Sequence, residues 1–158
     1  MQTKNTNRTG LTIIELMVAA AAVTIVIFAA AIMLVSGQKA WNNELLRSSL
    51  QRDASYAMLK MKKSISSATQ AQIDKDELGI ILTQTAGSVR YRFNPESKDL
   101  FCQVEGESLE QILNGTVEDL TFAIDPNTKK MVSVDIELQK NNCAARLYSK
   151  TLMRNCAK

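Results

Sequence analysis

The sequence predicts an α+β fold in which one long amino-terminal helix packs on an antiparallel β-sheet. Segment 16–35 contains 20 residues, of which only Thr24 is polar. Apolar residues then recur every three or four positions as far as residue 68, and after residue 78 they alternate with polar ones. A period near 3.6 indicates a helix and a period of two indicates strands, so the change of period marks the end of the helix.

The apolar segment Leu16–Val35 is long enough to cross a membrane. As a helix, 20 residues extend about 30 Å, which is the thickness of the hydrocarbon core of a bilayer. Lys4 and Arg8 precede the segment, and no comparable positive charge directly follows it. Because cytoplasmic flanks are rich in Lys and Arg, we expect a cytoplasmic amino terminus and an extracytoplasmic domain over 36–158.

A cleaved secretory signal and a plain membrane anchor are the two alternatives for this segment. Secretory signals have an apolar region of about 7–15 residues followed by a small-x-small cleavage site. Val35-Ser36-Gly37 is a weak match to such a site. The apolar run is longer than a secretory signal requires, and its length favours retention in the mature protein.

Glu15 is a charged residue at the start of the apolar segment. Ile13 and Ile14 precede it, so its carboxylate is expected inside the membrane boundary, where a charge is costly and usually has a partner. No basic residue lies within one helical turn, and a free amino terminus of another molecule would be a fitting cation. The alternative is a glutamate that extends to the lipid headgroups from the first helical turn, where the helix dipole favours negative charge.

Beyond Val35 the chain is predicted to continue as an amphipathic helix. We expect one helix from about Leu11 to Ala68, with the amphipathic part over 36–70 lying on the globular domain. The apolar residues of that part recur at helical spacing: Leu46, Leu50, Ala54, Ala57 or Met58, Met61, Ile65 and Ala68.

The region 78–154 is predicted to form the β-sheet. Six segments have the period of strands: Gly79–Gln84, Ser88–Phe93, Leu100–Val104, Val117–Ile124, Met131–Leu138 and Ala145–Met153. Alternation in Met131–Leu138 predicts one sheet face on the helix and the other in water. Turns are expected at Ala86-Gly87, at 94–97 and at 125–129. A short helix or an irregular crossing is expected around Leu109, Ile112 and Leu113.

Composition argues against enzymes and nucleic-acid binders. The chain has no histidine, which removes imidazole as a base or metal ligand and leaves no catalytic constellation. Lys4 and Arg8 supply two of the 19 basic residues, and the remainder carries 17 against 16 acidic ones. No nucleic-acid-binding face, cofactor or metal site is therefore predicted, and the basic cluster 60–63 is interpreted as a solvated helix face.

Three cysteines, Cys102, Cys143 and Cys156, would lie outside the cytoplasm, where a disulfide can persist. Because three is odd, the chain can form at most one internal bridge. Cys102 shares a strand face with Leu100 and Val104 and is expected in the core. Cys143 and Cys156 flank the last strand, and a bridge between them or no bridge at all both stay open.

The segment Gly10-Leu11-Thr12-Ile13-Ile14-Glu15-Leu16 resembles the class III signal peptide of type IV pilins and type II secretion pseudopilins. The resemblance implies that 1–10 is a leader, that prepilin peptidase cuts between Gly10 and Leu11, and that Leu11 becomes N-methylated. It further implies that 11–35 is a transmembrane and assembly helix, and that Glu15 pairs with the terminal amine of a neighbouring subunit. Such a contact runs head to tail and does not close, so it generates a filament.

The second half of the chain resembles W-type minor pilins and J-type minor pseudopilins. The similarity lies in the segments LQRDASYAMLKMKKSI, VEDLTFAID, MVSVDIEL and TLMRN. It implies a pilin-like fold and favours a carboxy-terminal disulfide between Cys143 and Cys156. Many pilins carry a proline where this chain has Ile32, so we expect a less kinked helix and a minor subunit.

The expected function is therefore that of a minor pilin or pseudopilin, a non-enzymatic subunit of a type IV pilus or type II secretion pseudopilus. The implied partners are prepilin peptidase, other pilin or pseudopilin subunits, the inner-membrane assembly platform and membrane lipid. The alternative is a single-pass anchored domain in the inner membrane that captures DNA or a secreted substrate without polymerising.

Overall fold

The computed structural model describes residues 12–74, 76 and 78–155. It contains one long helix, α1, which extends from Ile13 to Ser67. The predicted helix from Leu11 to Ala68 is confirmed within one residue at its carboxyl end, while Leu11 lies outside the described residues. The chain divides into two units, Met1–Asn42 and Asn43–Lys158.

The first unit consists of the apolar part of α1. Every described residue up to Asn42 is exposed. An 18-residue window of the helix has a mean hydropathy of 2.8, and none of that window is buried. The helix is thus long and apolar enough to be a candidate membrane span, and it continues through Ile32.

The second unit begins with the amphipathic part of α1. The helix buries one face, and the buried residues recur at three- and four-residue steps as the sequence predicted: Leu50, Ala54, Ala57, Met58, Met61 and Ile65.

Eight strands follow the helix. They are β1 Gln70–Ile73, β2 Gly79–Gln84, β3 Gly87–Asn94, β4 Asp99–Val104, β5 Glu110–Leu113, β6 Val117–Ile124, β7 Met131–Lys140 and β8 Cys143–Leu152. Strands β1 to β5 form one sheet and β6 to β8 a second, each in sequence order. All neighbouring strands are antiparallel, so each sheet is a simple meander.

The α+β class is confirmed. The prediction of a single sheet is wrong, because the strands form two sheets. Strand β6 pairs with β7 and not with β5, because the chain changes direction at Asn114-Gly115-Thr116, where Gly115 has a φ of 61°. Strands β1 and β6 lie next to each other. The three-stranded meander therefore starts a second sheet rather than extending the first.

The sequence predicts that the amphipathic helix extends to residue 70, but the helix ends at Ser67 and the chain enters β1 at Gln70. The backbone N–H of Thr69 donates to Thr83 at 2.8 Å, which starts the pairing of β1 with β2. The helix or irregular crossing expected around Leu109, Ile112 and Leu113 is also wrong. Segment Glu110–Leu113 is strand β5, paired with β4 across a β-bulge. Strands β1 and β5 each have only four residues, which are too few to show the period of a strand in the sequence.

The turns follow the predicted positions with one shift. Gln84 pairs with Gly87, so the two-residue turn consists of Thr85 and Ala86, and Gly87 opens β3 with a φ of 139°. The 125–129 turn is confirmed as a hairpin: the carboxylate of Asp125 accepts the backbone N–H of Asn127 at 2.9 Å.

One core fills the second unit. It contains the buried face of α1 and the inward side chains of both sheets. The side chains predicted to share one face of β7 are all buried: Val132, Val134, Ile136 and Leu138. The polar side chains on its opposite face are half-buried rather than fully in water, because β7 is the central strand of its sheet.

Candidate functional site

The amino-terminal end of α1 is built around Thr12 and Glu15. The backbone N–H of Thr12 donates to Oε2 of Glu15 at 3.1 Å, and the Thr12 hydroxyl donates to the same oxygen at 3.2 Å. In return the backbone N–H of Glu15 donates to Oγ1 of Thr12 at 3.3 Å. This reciprocal arrangement is a capping box, with Thr12 as the N-cap and Glu15 three residues later.

The capping box corrects one step of the sequence argument. Glu15 has a partner in its own chain, although that partner is the neutral Thr12 and not a cation. Only Oε2 is used, and neither Oε1 nor the negative charge has a partner among the described residues. The pattern Thr-x-x-Glu was present in the sequence and could have predicted the cap. Glu15 therefore caps the helix through Oε2, and its Oε1 can accept a further hydrogen bond.

The predicted cleavage and methylation positions, Gly10 and Leu11, lie outside the described residues and stay predictions. Cleavage there would make Thr12 the second residue of the mature chain and place the new amine one residue from the capping box. The alternative cleavage position, Gly37, lies within the continuous helix.

The polar residues in the apolar part of α1 are satisfied within the helix. The hydroxyl of Thr24 donates to the carbonyl of Ala20 at 2.6 Å, and that of Ser36 donates to the carbonyl of Ile32 at 2.8 Å. Such bonds to the preceding turn let a hydroxyl enter an apolar environment at low cost. The surface presented by this part of α1 is consequently apolar apart from its two ends.

The two described cysteines are both free. Cys102 is buried, as predicted. Cys143 opens β8, where its thiol lies 3.6 Å from the carbonyl oxygen of Asn43. Beyond the other end of β8, the side-chain amide of Asn155 donates to the carbonyl of Ser67 at 3.1 Å.

Because Cys156 lies outside the described residues, its pairing with Cys143 stays a prediction. The ten extended residues of β8 place Cys143 about 30 Å from the end of the strand. A disulfide requires Cα atoms within about 7 Å. The four residues from Leu152 to Cys156 extend at most about 14 Å. A bridge between Cys143 and Cys156 therefore requires either that part of β8 itself leave its described position or that the cysteines belong to different copies.

A polar cluster lies where α1 packs on the five-stranded sheet. Tyr91 is 1% exposed, its hydroxyl shares a hydrogen bond of 2.7 Å with that of Ser64, and it donates to the carbonyl of Lys60 at 3.4 Å. Burial raises the pKa of Tyr91 well above its usual range and also raises the pKa of the Cys102 thiol. Both groups stay neutral at physiological pH, so the cluster orients the helix on the sheet.

Lys60 lies at the solvent-facing side of this cluster. Its ammonium group donates to Oε2 of Glu110 at 2.6 Å. Burial alone would lower the pKa of Lys60, but the hydrogen bond and the charge of Glu110 outweigh burial and raise it. Within the part of the chain that the structure describes, no group of three or more His, Cys, Asp or Glu side chains could hold a metal ion.

The outward face of the five-stranded sheet holds a groove of about 550 Å³. Arg90 and Arg92 line it, together with Phe101 and Leu109. Arg92 lies 3.8 Å from a carboxylate oxygen of Asp76, and Arg90 makes no ion pair with any described residue. Two guanidinium groups beside an aromatic ring fit an anionic ligand with an apolar part.

Comparisons with protein-family models, curated protein sequences and solved structures found no match for this chain. Support for a function consequently comes from the geometry of the described residues and from the sequence motif.

Proposed function

We propose that this chain is a minor pilin or minor pseudopilin, a non-enzymatic structural subunit of a type IV pilus or type II secretion pseudopilus. In this proposal prepilin peptidase trims it after Gly10. The inner membrane stores it with a cytoplasmic amino terminus, and it enters the filament at or near the tip, where it assists assembly or priming. The observation that carries the proposal is the exposed apolar helix that begins at Ile13, with Glu15 in its first turn and one carboxylate oxygen of Glu15 without a described partner.

The exposed surface of the first unit supports a function in assembly. Large apolar side chains cover it, including Ile25, which is 70% exposed, and Phe28, also 70% exposed. Exposure of such an apolar surface to water is unfavourable, whereas contact with lipid or with the apolar helices of neighbouring subunits is favourable. The runs of small residues at 19–22 and 29–31 allow a neighbouring helix to approach closely. One surface therefore suits both storage in the membrane and packing in a filament.

Glu15 supplies the directional part of the proposed contact. Its carboxylate keeps an uncompensated charge and a free oxygen, Oε1, in an apolar environment. The terminal amine of a neighbouring trimmed chain would satisfy both, because it provides a positive charge and several N–H donors. The capping bonds from Thr12 hold the carboxylate in place without neutralising it.

Two substitutions separate the capping role of Glu15 from its charge. Glu15→Gln keeps an oxygen that can accept the hydrogen bonds from Thr12 but removes the charge, whereas Thr12→Ala removes the cap and keeps the charge. Hydrogen bonds to charged groups contribute about 1.5–3 kcal/mol, so Glu15→Gln should lower incorporation into purified filaments by about tenfold or more. Thr12→Ala should cost about 1 kcal/mol of helix stability and leave most incorporation intact.

Immunoblots of sheared filaments and of membranes measure this outcome. Glu15→Val, which removes both the charge and the cap, should behave like Glu15→Gln, with normal membrane insertion and trimming in both. Incorporation of Glu15→Gln at the wild-type level would contradict the pairing of Glu15 with a terminal amine, and so would a loss of incorporation in Thr12→Ala alone.

The groove at Arg90 and Arg92 favours a second candidate function, that of a single-pass anchored domain that captures DNA or a secreted substrate. The two functions differ in what co-purifies with the full-length chain in mild detergent. Other pilin-like chains in the preparation would favour the filament subunit. A monomer that carries an anionic ligand, and that loses it in Arg90→Ala, would favour the binding domain.

A further inference from the structure

A second groove, of about 400 Å³, lies between the last turns of α1 and the end of β8. Its described lining includes two leucines and four positively charged side chains and contains no acidic residue. They are Leu59, Leu152, Lys62, Lys63, Lys150 and Arg154. The sequence predicts that Lys62 and Lys63 lie on a solvated helix face. The fold adds two more cations from a segment almost 90 residues away in the sequence. We name this surface the basic groove.

The cations of the basic groove form no ion pair within the described chain; Lys150 attracts the carboxylate of Asp125 only at longer range and lies 6.0 Å from the ring centroid of Tyr148. None of its four cationic groups lies within ion-pair distance of a described carboxylate. Elsewhere in the same unit, Lys60 and Lys98 each meet a glutamate, at 2.6 and 2.5 Å. Four like charges around one opening repel one another, and a negatively charged partner would relieve that repulsion.

The exposed leucines restrict the class of ligand that fits the basic groove more than a purely charged patch would. Leu59 is 67% exposed and Leu152 is 53% exposed. A polyanion such as DNA would satisfy the cations but leave both leucines in water. A protein segment that carries carboxylates and an apolar side chain would cover both kinds of group.

The β4–β5 loop of this chain is such a segment. It carries Glu105 and Glu107, neither of which makes an ion pair with a described residue, and it exposes 57% of Leu109. Oε2 of Glu105 accepts the backbone N–H of Ser88 at 2.8 Å, which orders the start of the loop. Residues 105–109 are named the acidic loop.

The acidic loop does not occupy the basic groove of its own chain. The residue that follows it, Glu110, is bound to Lys60, whereas Leu59 and Lys63 belong to the helix stripe that faces β8. Lys60 is about 100° around the helix from Leu59. No described hydrogen bond or ion pair joins the loop to the groove. Within one molecule the two surfaces thus share no described hydrogen bond or ion pair, and a second molecule can bring them together.

We infer that the basic groove binds the acidic loop of a second copy of this chain. The inference deepens the proposed function and rests on it, because it makes a filament neighbour another copy of the same subunit. The groove and the loop are different surfaces, so the contact is heterologous and leaves a free groove and a free loop after each addition. Several copies can consequently follow one another in the segment at or near the tip where the proposed function places this subunit.

Carbodiimide cross-linking of the full-length chain tests this contact, since the reagent joins lysine amines to carboxylates that touch. Unlabelled and isotope-labelled copies are mixed in mild detergent. We expect mixed-isotope peptides that join Glu105 or Glu107 to Lys62, Lys63 or Lys150. The Lys60–Glu110 pair, at 2.6 Å within one chain, serves as the positive control.

Charge reversal makes the test specific. Lys63→Glu alone and Glu107→Lys alone should each reduce the mixed-isotope product about tenfold or more, which corresponds to about 1.4 kcal/mol. The double variant Lys63→Glu/Glu107→Lys should restore it, because the two charges exchange places. Lys140→Glu makes the same charge change outside the groove and should have no effect. Restoration also shows that the single variants were folded.

Three outcomes would overturn the inference. One is a lack of mixed-isotope product while the Lys60–Glu110 product forms, and another is a double variant that does not restore it. The third is binding of a duplex DNA oligonucleotide that Lys63→Glu abolishes, without any mixed-isotope product, which would make nucleic acid the occupant. If Glu15-dependent incorporation holds but cross-linking fails, only this inference is lost. If cross-linking succeeds in a chain that never enters filaments, the proposed function fails instead.

Discussion

Among the described residues, Tyr91 is the bulkiest side chain with less than 2% exposure. Its ring fills the core between α1 and the five-stranded sheet, and its hydroxyl finds two partners on the helix, the hydroxyl of Ser64 and the carbonyl of Lys60. A buried hydroxyl without partners would be destabilising, so these bonds fix how the helix lies on the sheet. Alternation along β3 predicts that Tyr91 points inward, but only the fold shows that Ser64 meets it.

Tyr91→Phe should lower the free energy of unfolding by about 1 kcal/mol, because it removes the hydroxyl and leaves Ser64 without that hydrogen bond. A double-mutant cycle with Ser64→Ala should give a coupling of about 0.5–1 kcal/mol. Urea titration of the full chain in mild detergent, followed by circular dichroism, measures both. Tyr148→Phe, at a tyrosine that is 58% exposed, is the matched control and should stay within about 0.5 kcal/mol of wild type. A zero coupling energy would contradict the proposed bond.

Helix α1 is one element with two environments. Up to Asn42 it exposes every described residue, and from Leu50 onwards it buries one face. The sequence predicted this division well because each half repeats its pattern over many turns. Strands β1 and β5 were missed because four residues carry little periodic signal, and hydrogen bonding to β2 and β4 decides their conformation.

A pair of leucines in α1 tests the boundary between the two environments. Leu50 is 1% exposed, whereas Leu45 is 54% exposed. Leu50→Ala should destabilise the second unit by roughly 2–5 kcal/mol, because it removes buried methyl groups and leaves a cavity. Leu45→Ala, with the same chemistry five residues earlier, should change stability by less than about 0.5 kcal/mol. The same urea titration compares them, and equal effects would contradict the packing described for α1.

At the scale of the whole molecule, the proposal predicts the covalent state of the protein in membranes. Intact mass measurement should show loss of residues 1–10 and a gain of about 14 Da for one methyl group, a covalent change that keeps the positive charge of the terminal amine. Gly10→Leu should leave the full precursor, since the resemblance assigns cleavage to that glycine. An uncut wild-type chain would reduce the protein to an anchored domain, and a cut near Gly37 would make it a released one.

The sequence by itself determined the features that depend on neighbours along the chain. These are the α+β class, the carboxyl end of α1 to within one residue, and six of the eight described strands. The Thr-x-x-Glu pattern that caps the helix is also present in the sequence, although it was not used to predict the cap. Periodicity and capping are local, because each residue's environment is set by residues one turn or two positions away.

Only the tertiary structure decided what residues distant in the sequence do together. It divided the strands into two sheets, joined Tyr91 to Ser64, and brought Lys150 and Arg154 beside Lys62 and Lys63. It also left the acidic loop apart from that groove. These outcomes depend on which strands pair and which helix face is buried, and long-range packing free energy settles both.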